Sequence, residues 1–326
     1  MTGLIDWVSV CSAAERSSGD DASLLESQLD DNPKDLEARI KLIGFYTGVG
    51  SEERNEHIQW LISNHPDIDI GRYGRIDKDV APGEYDEGKR LWLAAVARLP
   101  TDSRVLKNAV NYSWLHDSAM SEDLVMQGIA LEPLAPMWHA MRGDLRATMA
   151  STADISDEDR LRCSREAAAE YERALNLSQT PFERFEQTLN LMKASLDAQA
   201  YGSAEELATQ LLARAKVFET TWIYGEAIHA AHIVLGQIAL TRGYIAMAVE
   251  QLLAAGRTPG SPQLNAFGPD FDLAARILDS GQPNAVIEYL ESCKTFWTRN
   301  VRALEQWQLA IKKGGSPTFK VWEGAD

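Results

Sequence analysis

Prolines recur along the first part of this chain at a nearly constant interval. Pro33, Pro66, Pro100 and Pro133 are separated by 33, 34 and 33 residues. A fixed period in that range is typical of chains built from repeated helical hairpins, which stack because one hairpin cannot bury its own apolar face. Each proline also ends the helix before it, because the residue that precedes a proline is displaced from helical backbone angles. The spacing therefore predicts a repeated pair of helices.

The repeat that ends at Pro133 shows the helical spacing most clearly. After a short turn, Ser121, Val125 and Gly128 would lie on one face of its second helix. Small residues let the two helices of a hairpin approach closely, and larger ones fill the space between hairpins. Four residues of the first helix follow the spacing i, i+3, i+4, i+7 and would share one face: Val105, Asn108, Ala109 and Tyr112.

These residues resemble the tetratricopeptide repeat, a helix–turn–helix unit of about 34 residues. The best single match begins at Leu235 and Gly236 and includes Ala248, and we expect Gly236 and Ala248 to be close-packing positions between paired helices. The resemblance extends over 20–297, and 227–319 resembles the C-terminal ends of bacterial tetratricopeptide-type proteins. It implies an all-α fold, a right-handed solenoid of about seven to eight antiparallel helix hairpins.

We expect one continuous domain over 1–326, because no Gly/Ser-rich or Pro-rich linker interrupts the chain. The stretch 67–88 departs from the pattern, since Gly71, Gly74 and Pro82 prevent a full regular helix there. A capping helix at 298–313 and a tail would complete the chain. The predicted repeats are 20–66, 67–100, 101–133, 134–180, 181–224, 225–262 and 269–297.

Composition excludes several classes of protein. With 48 acidic against 32 basic residues and a net charge of −16, the chain is not expected to bind nucleic acid, because phosphate contacts need a basic face. No stretch approaches the ~20 uninterrupted apolar residues of a membrane span, and the first residues do not resemble a signal peptide. Three distant cysteines without a CxxC pair indicate buried thiols in a reducing cytoplasm. We expect a cytoplasmic protein without a membrane partner.

The favoured function is a non-catalytic scaffold for a protein or peptide partner. A helical solenoid presents a concave groove lined by the first helix of each hairpin. The acidic N-terminal part favours a basic or amphipathic partner, terminal repeats offer faces for oligomerisation, and no motif indicates a cofactor. The residues predicted to line the groove are Leu106, Val110, Ser113, Ile233, Gln237 and Thr241.

An enzyme, or a protein that binds a small ligand or a metal, is the alternative. Glu226 and His229 have the Glu-x-x-His spacing of carboxylate–histidine metal sites in helical bundles. His232 follows at i+6, about 120° away from true alignment, because six residues turn a helix by ~600°. A half-buried, hydrogen-bonded histidine is therefore the structural alternative to a metal ligand at 232.

The stretch 256–270 breaks the helical rhythm with three prolines and three glycines. Long irregular segments are frequently functional, and this one directly follows the helix pair that carries the histidines. We expect it to be ordered and to cover a pocket. Phe267 should insert, either as part of a lid or as a plug between hairpins, with Asn265 and Asp270 as polar groups of the site.

Overall fold

The structure is a computed structural model that describes residues 5–50, 52–152 and 154–320. All regular structure in these residues is helical, with seventeen α-helices, three short 3-10 turns and no strand. The predicted all-α class is confirmed. None of the described helices combines the length with the apolar content that crossing a membrane requires. The last six residues of the predicted tail and the first four of the predicted domain lie outside the described residues.

Contacts between residues separate two compact units, unit 1 (1–145) and unit 2 (146–326). The single continuous domain and the repeat boundaries stay predictions. The helices of unit 1 are α1 (Trp7–Ala14), α2 (Gly19–Asp31), α3 (Leu36–Val49), α4 (Glu53–Asn64), α5 (Pro82–Arg98), α6 (Ser103–Ser113) and α7 (Ser118–Leu131), and α8 (Pro136–Ala150) crosses the boundary. Those that follow are α9 (Asp157–Leu177), α10 (Pro181–Asp197), α11 (Tyr201–Ala215), α12 (Tyr224–Thr241), α13 (Ile245–Gly256), α14 (Pro262–Phe267), α15 (Asp272–Asp279), α16 (Pro283–Cys293) and α17 (Val301–Lys312).

The four periodic prolines of unit 1 each stand two residues after the end of a helix, namely α2, α4, α5 and α7. This placement is expected because a residue before proline avoids helical backbone angles. The irregular stretch predicted at 67–88 contains a short 3-10 turn at Gly71–Gly74, and α5 begins only at Pro82. Proline is well suited to that first helical position, because its missing N–H would have no partner there.

In unit 1, the absence of a side chain at Gly128 of α7 leaves space for the indole ring of Trp138. A Cβ at Gly128 would overlap the indole ring of Trp138, which is fully buried. The indole N–H of Trp138 donates to the carboxylate of Glu132 at 3.0 Å, so the polar edge of the ring is paired. The predicted role of small residues as close-packing positions holds here.

In unit 2, α12 and α13 form a hairpin joined by residues 242–244, with Gly243 at a φ of +82°. Left-handed backbone of this kind favours glycine, which has no Cβ to clash. A Cβ at Gly236 would overlap the side chain of Leu273 and lie 3.2 Å from Cβ of Gln251 on the paired helix. Ala248 is fully buried. Both residues are therefore close-packing positions, as predicted.

Candidate functional site

The segment that joins α13 to α15 is not irregular throughout, because it contains the short helix α14. Ser261 starts this helix, since its side chain accepts a hydrogen bond from the N–H of Leu264 at 3.0 Å, and Pro262 occupies the first turn. Both are favoured residues at a helix N-terminus. Gly268, with a φ of +83°, ends the helix.

Three contacts hold this segment against the rest of unit 2. The hydroxyl of Thr258 donates to the carbonyl oxygen of Gly225 at 2.5 Å, and a Cβ at Gly225 would overlap the carbonyl oxygen of Gly260. Farther along, Oδ1 of Asn265 accepts hydrogen bonds from the backbone N–H and the hydroxyl of Thr298 at 3.0 and 3.1 Å. The segment therefore lies against the start of α12 and is held at a fixed distance from it.

A cavity of about 450 Å³ lies between the segment, α12 and the end of α10. Its size is that of a site for a side chain or a small organic molecule. Part of its wall is apolar and comes from all three elements: Leu196, Ala230, Ile233, Val234, Leu264 and Phe267.

The charged groups of this cavity are mostly acidic. Lys193 supplies the single ammonium group, and its Nζ is 2.7 Å from Oε1 of Glu226. Asp197, Asp270 and Asp272 supply three more carboxylates. Desolvation raises the pKa of Asp197 and of Asp270, and repulsion by Asp272 adds to the rise at each, although both side chains still contact solvent. The cavity thus holds four carboxylates, and the one cation among them is already paired.

His229 contributes a neutral imidazole to the cavity wall. Its Nε2 lies 2.9 Å from the hydroxyl of Tyr289, and that hydroxyl donates to the backbone carbonyl of Asp270 at 3.2 Å. When the hydroxyl donates to Asp270, Nε2 of His229 is the donor of the 2.9 Å bond and Nδ1 is left as an acceptor. Burial above all, with smaller contributions from Lys193 and His232, lowers the pKa of His229 to about 3. The imidazole is uncharged at neutral pH.

Gln263 adds a further acceptor to the same cavity. Its Oε1 is buried and has no hydrogen-bond partner in the part of the chain that the structure describes. A buried polar atom without a partner costs free energy that a ligand donor can restore. The cavity therefore offers mainly acceptors, namely carboxylates and the buried amide oxygen of Gln263, beside the amide of Gln237. Chemically, this set suits a cation that carries several N–H groups.

The three residues predicted as metal ligands do not converge. Nδ1 of His232 lies 2.8 Å from Oε1 of Gln251 on α13, whereas Glu226 and His229 have the partners described above. His232 is the hydrogen-bonded histidine of the structural alternative, because the i+6 position turns it away from the other two. The predicted metal set at 226, 229 and 232 is corrected accordingly.

Among the described residues, one group of three potential ligands does converge, and it lies in unit 1. Oxygen atoms of Asp77 and Asp79 and a ring nitrogen of His116 lie within 4.8 Å of one another. Both aspartates are exposed. Sequence reasoning missed this group because His116 follows far along the chain, in the turn after α6.

The predicted groove residues of unit 1 are interior. Leu106 is 1% exposed and Val110 and Ser113 are fully buried, because α6 is contacted by α5 on one side and α7 on the other. The hydroxyl of Ser113 lies 2.7 Å from that of Ser121 across the α6–α7 hairpin. These three side chains are not accessible to a partner, which corrects their assignment to a groove.

In unit 2 the structure brings residues of both predicted sites into one cavity. Ile233 and Gln237, predicted for the groove, line it together with Glu226, His229 and Asp270, predicted for the pocket. Thr241 lies outside it and accepts a hydrogen bond from Arg276 at 3.4 Å. Asn265 also lies outside, on Thr298.

Phe267 does not insert. It is 86% exposed and borders the cavity at its rim, because α14 ends at this residue and directs the side chain outward. The prediction of a buried plug is therefore wrong. Lys193, Asp197 and Gln263 complete the cavity but were not singled out from the sequence, since nothing in their spacing distinguishes them from solvated polar residues.

No protein-family model matches the chain, and a search of curated proteins found no match either. Among solved structures, the chain is similar to a tetratricopeptide repeat protein from Parabacteroides merdae ATCC 43184, with a TM-score of 0.44 and 11% sequence identity. The similarity covers 90% of this chain and 100% of that chain. At this level it bears on neither ligand nor partner, and the chemistry of the site rests on the cavity itself.

Proposed function

We propose that this chain is a non-catalytic helical-repeat binding protein whose unit 2 cavity takes up a positively charged group of a protein or peptide partner. The observation that carries the proposal is the imbalance of charge in the cavity. Four carboxylates line it, and the only ammonium group, on Lys193, is paired with Glu226. This imbalance supports the cationic partner expected from composition.

A basic side chain would meet two requirements of this cavity at once. Its ammonium or guanidinium group would form charge-assisted hydrogen bonds with carboxylates that now repel one another. Its aliphatic stem would cover the apolar wall formed by Ile233, Val234 and Leu264. The charge-assisted hydrogen bonds form only with a positively charged group, so we expect the affinity to depend on the partner's charge.

The state of His229 supports binding over catalysis. With a pKa near 3 and its Nε2 hydrogen-bonded to Tyr289, the imidazole is a poor proton acceptor at neutral pH, where a general base works best with a pKa close to the ambient value. Its role is that of a fixed acceptor in the wall. A cytoplasmic location and an amphipathic partner remain predictions from composition.

Fluorescence anisotropy with labelled Gly/Ser peptides that carry one Arg, one Lys or one Glu tests the proposal. We expect the Arg and Lys peptides to bind and the Glu peptide not to bind. Asp270→Asn and Asp197→Asn should each weaken binding about five- to tenfold, and Asp279→Asn, which is outside the cavity lining, should not. Equal affinity for the Arg and Glu peptides, or equal effects of all three variants, would refute the proposal.

A further inference from the structure

We infer that the acidic cavity is one half of a two-part site, which takes a basic and a nearby aromatic side chain of the same peptide. This inference rests on the proposed function and adds a second cavity to it. That cavity, of about 310 Å³, lies beside the first and is lined by Ala266, Phe267, Pro269, Phe271, Trp297 and Phe319, with Asn300 as its polar member. None of these residues is charged.

The two cavities share a wall. Phe267 lines both of them, and residues 266–269 separate them. An aromatic side chain that is 86% exposed leaves apolar area in contact with water, and a ligand that covers it from either side gains roughly 25 cal/mol per Å² of that area. The exposed position of Phe267, unexplained by packing, is expected for a residue that a ligand covers.

The second cavity is prearranged for another aromatic ring. Phe271 stacks on Phe319 with ring centroids 5.5 Å apart and lies 5.6 Å from the ring of Trp297. A further ring can add to such an array in the offset or edge-to-face geometry that aromatic pairs favour. The array therefore specifies an aromatic side chain over an aliphatic one.

Trp297 also has an unmet hydrogen bond. The residue is 2% exposed, and its indole N–H has no acceptor among the residues that the structure describes. A Cβ at Gly268 would lie 2.6 Å from this indole, so the backbone between the cavities runs directly against the ring. A buried indole N–H usually has a partner, and a backbone carbonyl of a bound peptide would supply one.

The charge of the first cavity and the aromatic lining of the second together favour a peptide as the ligand over a small amine. A polyamine would satisfy the carboxylates of the first cavity, but it would leave Phe267 exposed and Trp297 without an acceptor. A segment with an arginine or lysine close to a phenylalanine, tyrosine or tryptophan would satisfy all three. The occupant is therefore a basic–aromatic segment of a partner protein.

Labelled peptides and the full chain test this inference by fluorescence anisotropy. The probes carry Arg and Phe separated by zero, one or two Gly residues, with Phe→Ala and Arg→Ala versions of each. We expect the best Arg/Phe peptide to bind about tenfold more tightly than its Phe→Ala version. Phe267→Ala and Phe319→Ala should each reduce this ratio towards one, whereas Tyr244→Ala, which removes another exposed ring of unit 2, should preserve it. The indole N–H signal of Trp297, assigned with Trp297→Phe, should shift when the Arg/Phe peptide binds.

The outcomes separate this inference from the function on which it rests. If the Phe→Ala peptide binds as tightly as the Arg/Phe peptide at every spacing, and Asp270→Asn still weakens both, the two-part site is refuted and the acidic site stands. If spermidine binds as tightly as the best peptide, the occupant is a small polyamine and the inference is again refuted. If no Arg-containing probe binds, both proposals are refuted.

Discussion

Nε2 of His229 lies 2.9 Å from the hydroxyl of Tyr289, a residue 60 positions later in the chain, and this bond joins α12 to α16. Both side chains are buried. The same hydroxyl continues to the carbonyl of Asp270 at 3.2 Å. The hydroxyl of Tyr289 therefore links α12, α16 and the acidic wall of the cavity.

Replacing Tyr289 with Phe should lower the free energy of unfolding by about 1–3 kcal/mol. The change retains the ring but leaves Nε2 of His229 without its hydrogen-bond partner in a buried place, and an unsatisfied buried polar atom costs about that much. Urea denaturation followed by circular dichroism measures the loss. Tyr244→Phe, at a residue that is 56% exposed, is the matched control and should have no effect; equal stabilities of the two variants would contradict the predicted bond.

His229 should make stability depend on pH. Its pKa of about 3 in the folded protein is below the ordinary value of 6.5, so the unfolded chain binds the extra proton first. The stabilisation is therefore complete above pH 6.5 and is lost as the pH falls towards 3, by at most about 1.4 kcal/mol per pH unit. The raised pKa values of Asp197 and Asp270 act in the opposite direction.

The difference in unfolding free energy between the wild type and His229→Gln isolates the effect of the histidine, because Asp197 and Asp270 are present in both proteins. The stability advantage of the wild type should shrink between pH 6.5 and pH 4.5 in urea denaturation. A constant advantage across this range would show that His229 titrates normally, and a growing one would reverse the assigned sign.

Gly225→Ala should destabilise the protein by about 1–3 kcal/mol, because the new methyl group would meet the backbone carbonyl of Gly260 and not a flexible side chain. Gly202→Ala is a closely matched control: it is also the second residue of a helix, α11, with nothing within 4 Å of the added Cβ. That change should raise stability by up to about 1 kcal/mol. Thermal unfolding of both variants in parallel measures the difference. Equal melting temperatures would contradict the close approach of Gly225 to the carbonyl of Gly260.

Lys193→Gln should strengthen binding of an Arg-containing peptide several-fold. The change releases Glu226, at 2.7 Å, and adds a net negative charge to the cavity. Lys216→Gln removes an ammonium group that is paired with Glu219 on the surface of unit 2, and it should leave the affinity unchanged. Weaker binding by Lys193→Gln would mean that the cavity prefers an anion.

The buried thiols should be unreactive in the native protein. Cys11, Cys163 and Cys293 are free and buried, and burial raises the pKa of Cys11 and of Cys293 to about 12. Because the thiolate is the reactive species, a disulfide reagent at pH 8 should modify these cysteines only as fast as the protein opens, but all three at once in guanidinium chloride. Rapid modification of Cys293 under native conditions would contradict its placement in the core.

The periodic features of the fold could be predicted because they depend on neighbours in the chain. A proline stops the helix directly before it, and Gly128, Gly236 and Ala248 are small because another helix packs against them. The inward-facing assignment of Val105 and Ala109 holds for the same reason. The groove assignment of Leu106 and Val110 fails, since neighbouring helices bury α6 on both sides and the helical period alone gives only one face.

The site could be predicted only in part, because its groups come from three separated elements. Glu226, His229 and Asp270 stood out through spacing or through the irregular segment. Asp197 lies in the same cavity only because α10 ends beside that segment. The residues around position 197 in the sequence do not predict such a long-range contact. The short helix that exposes Phe267 had a readable signal, Ser261 followed by Pro262, which predicts a helix start.

Between α13 and α15, the residues that hold the chain in place differ from those that face a ligand. Thr258 and Asn265 fasten the segment by hydrogen bonds, whereas Ala266 and Phe267 are exposed. Exchange of these outward-facing side chains should therefore leave the stability of the helices unchanged and, on the proposed function, should change which ligand binds. The exposed positions of this segment could therefore be randomised in a library and selected for binding a new ligand, while every buried position keeps its residue.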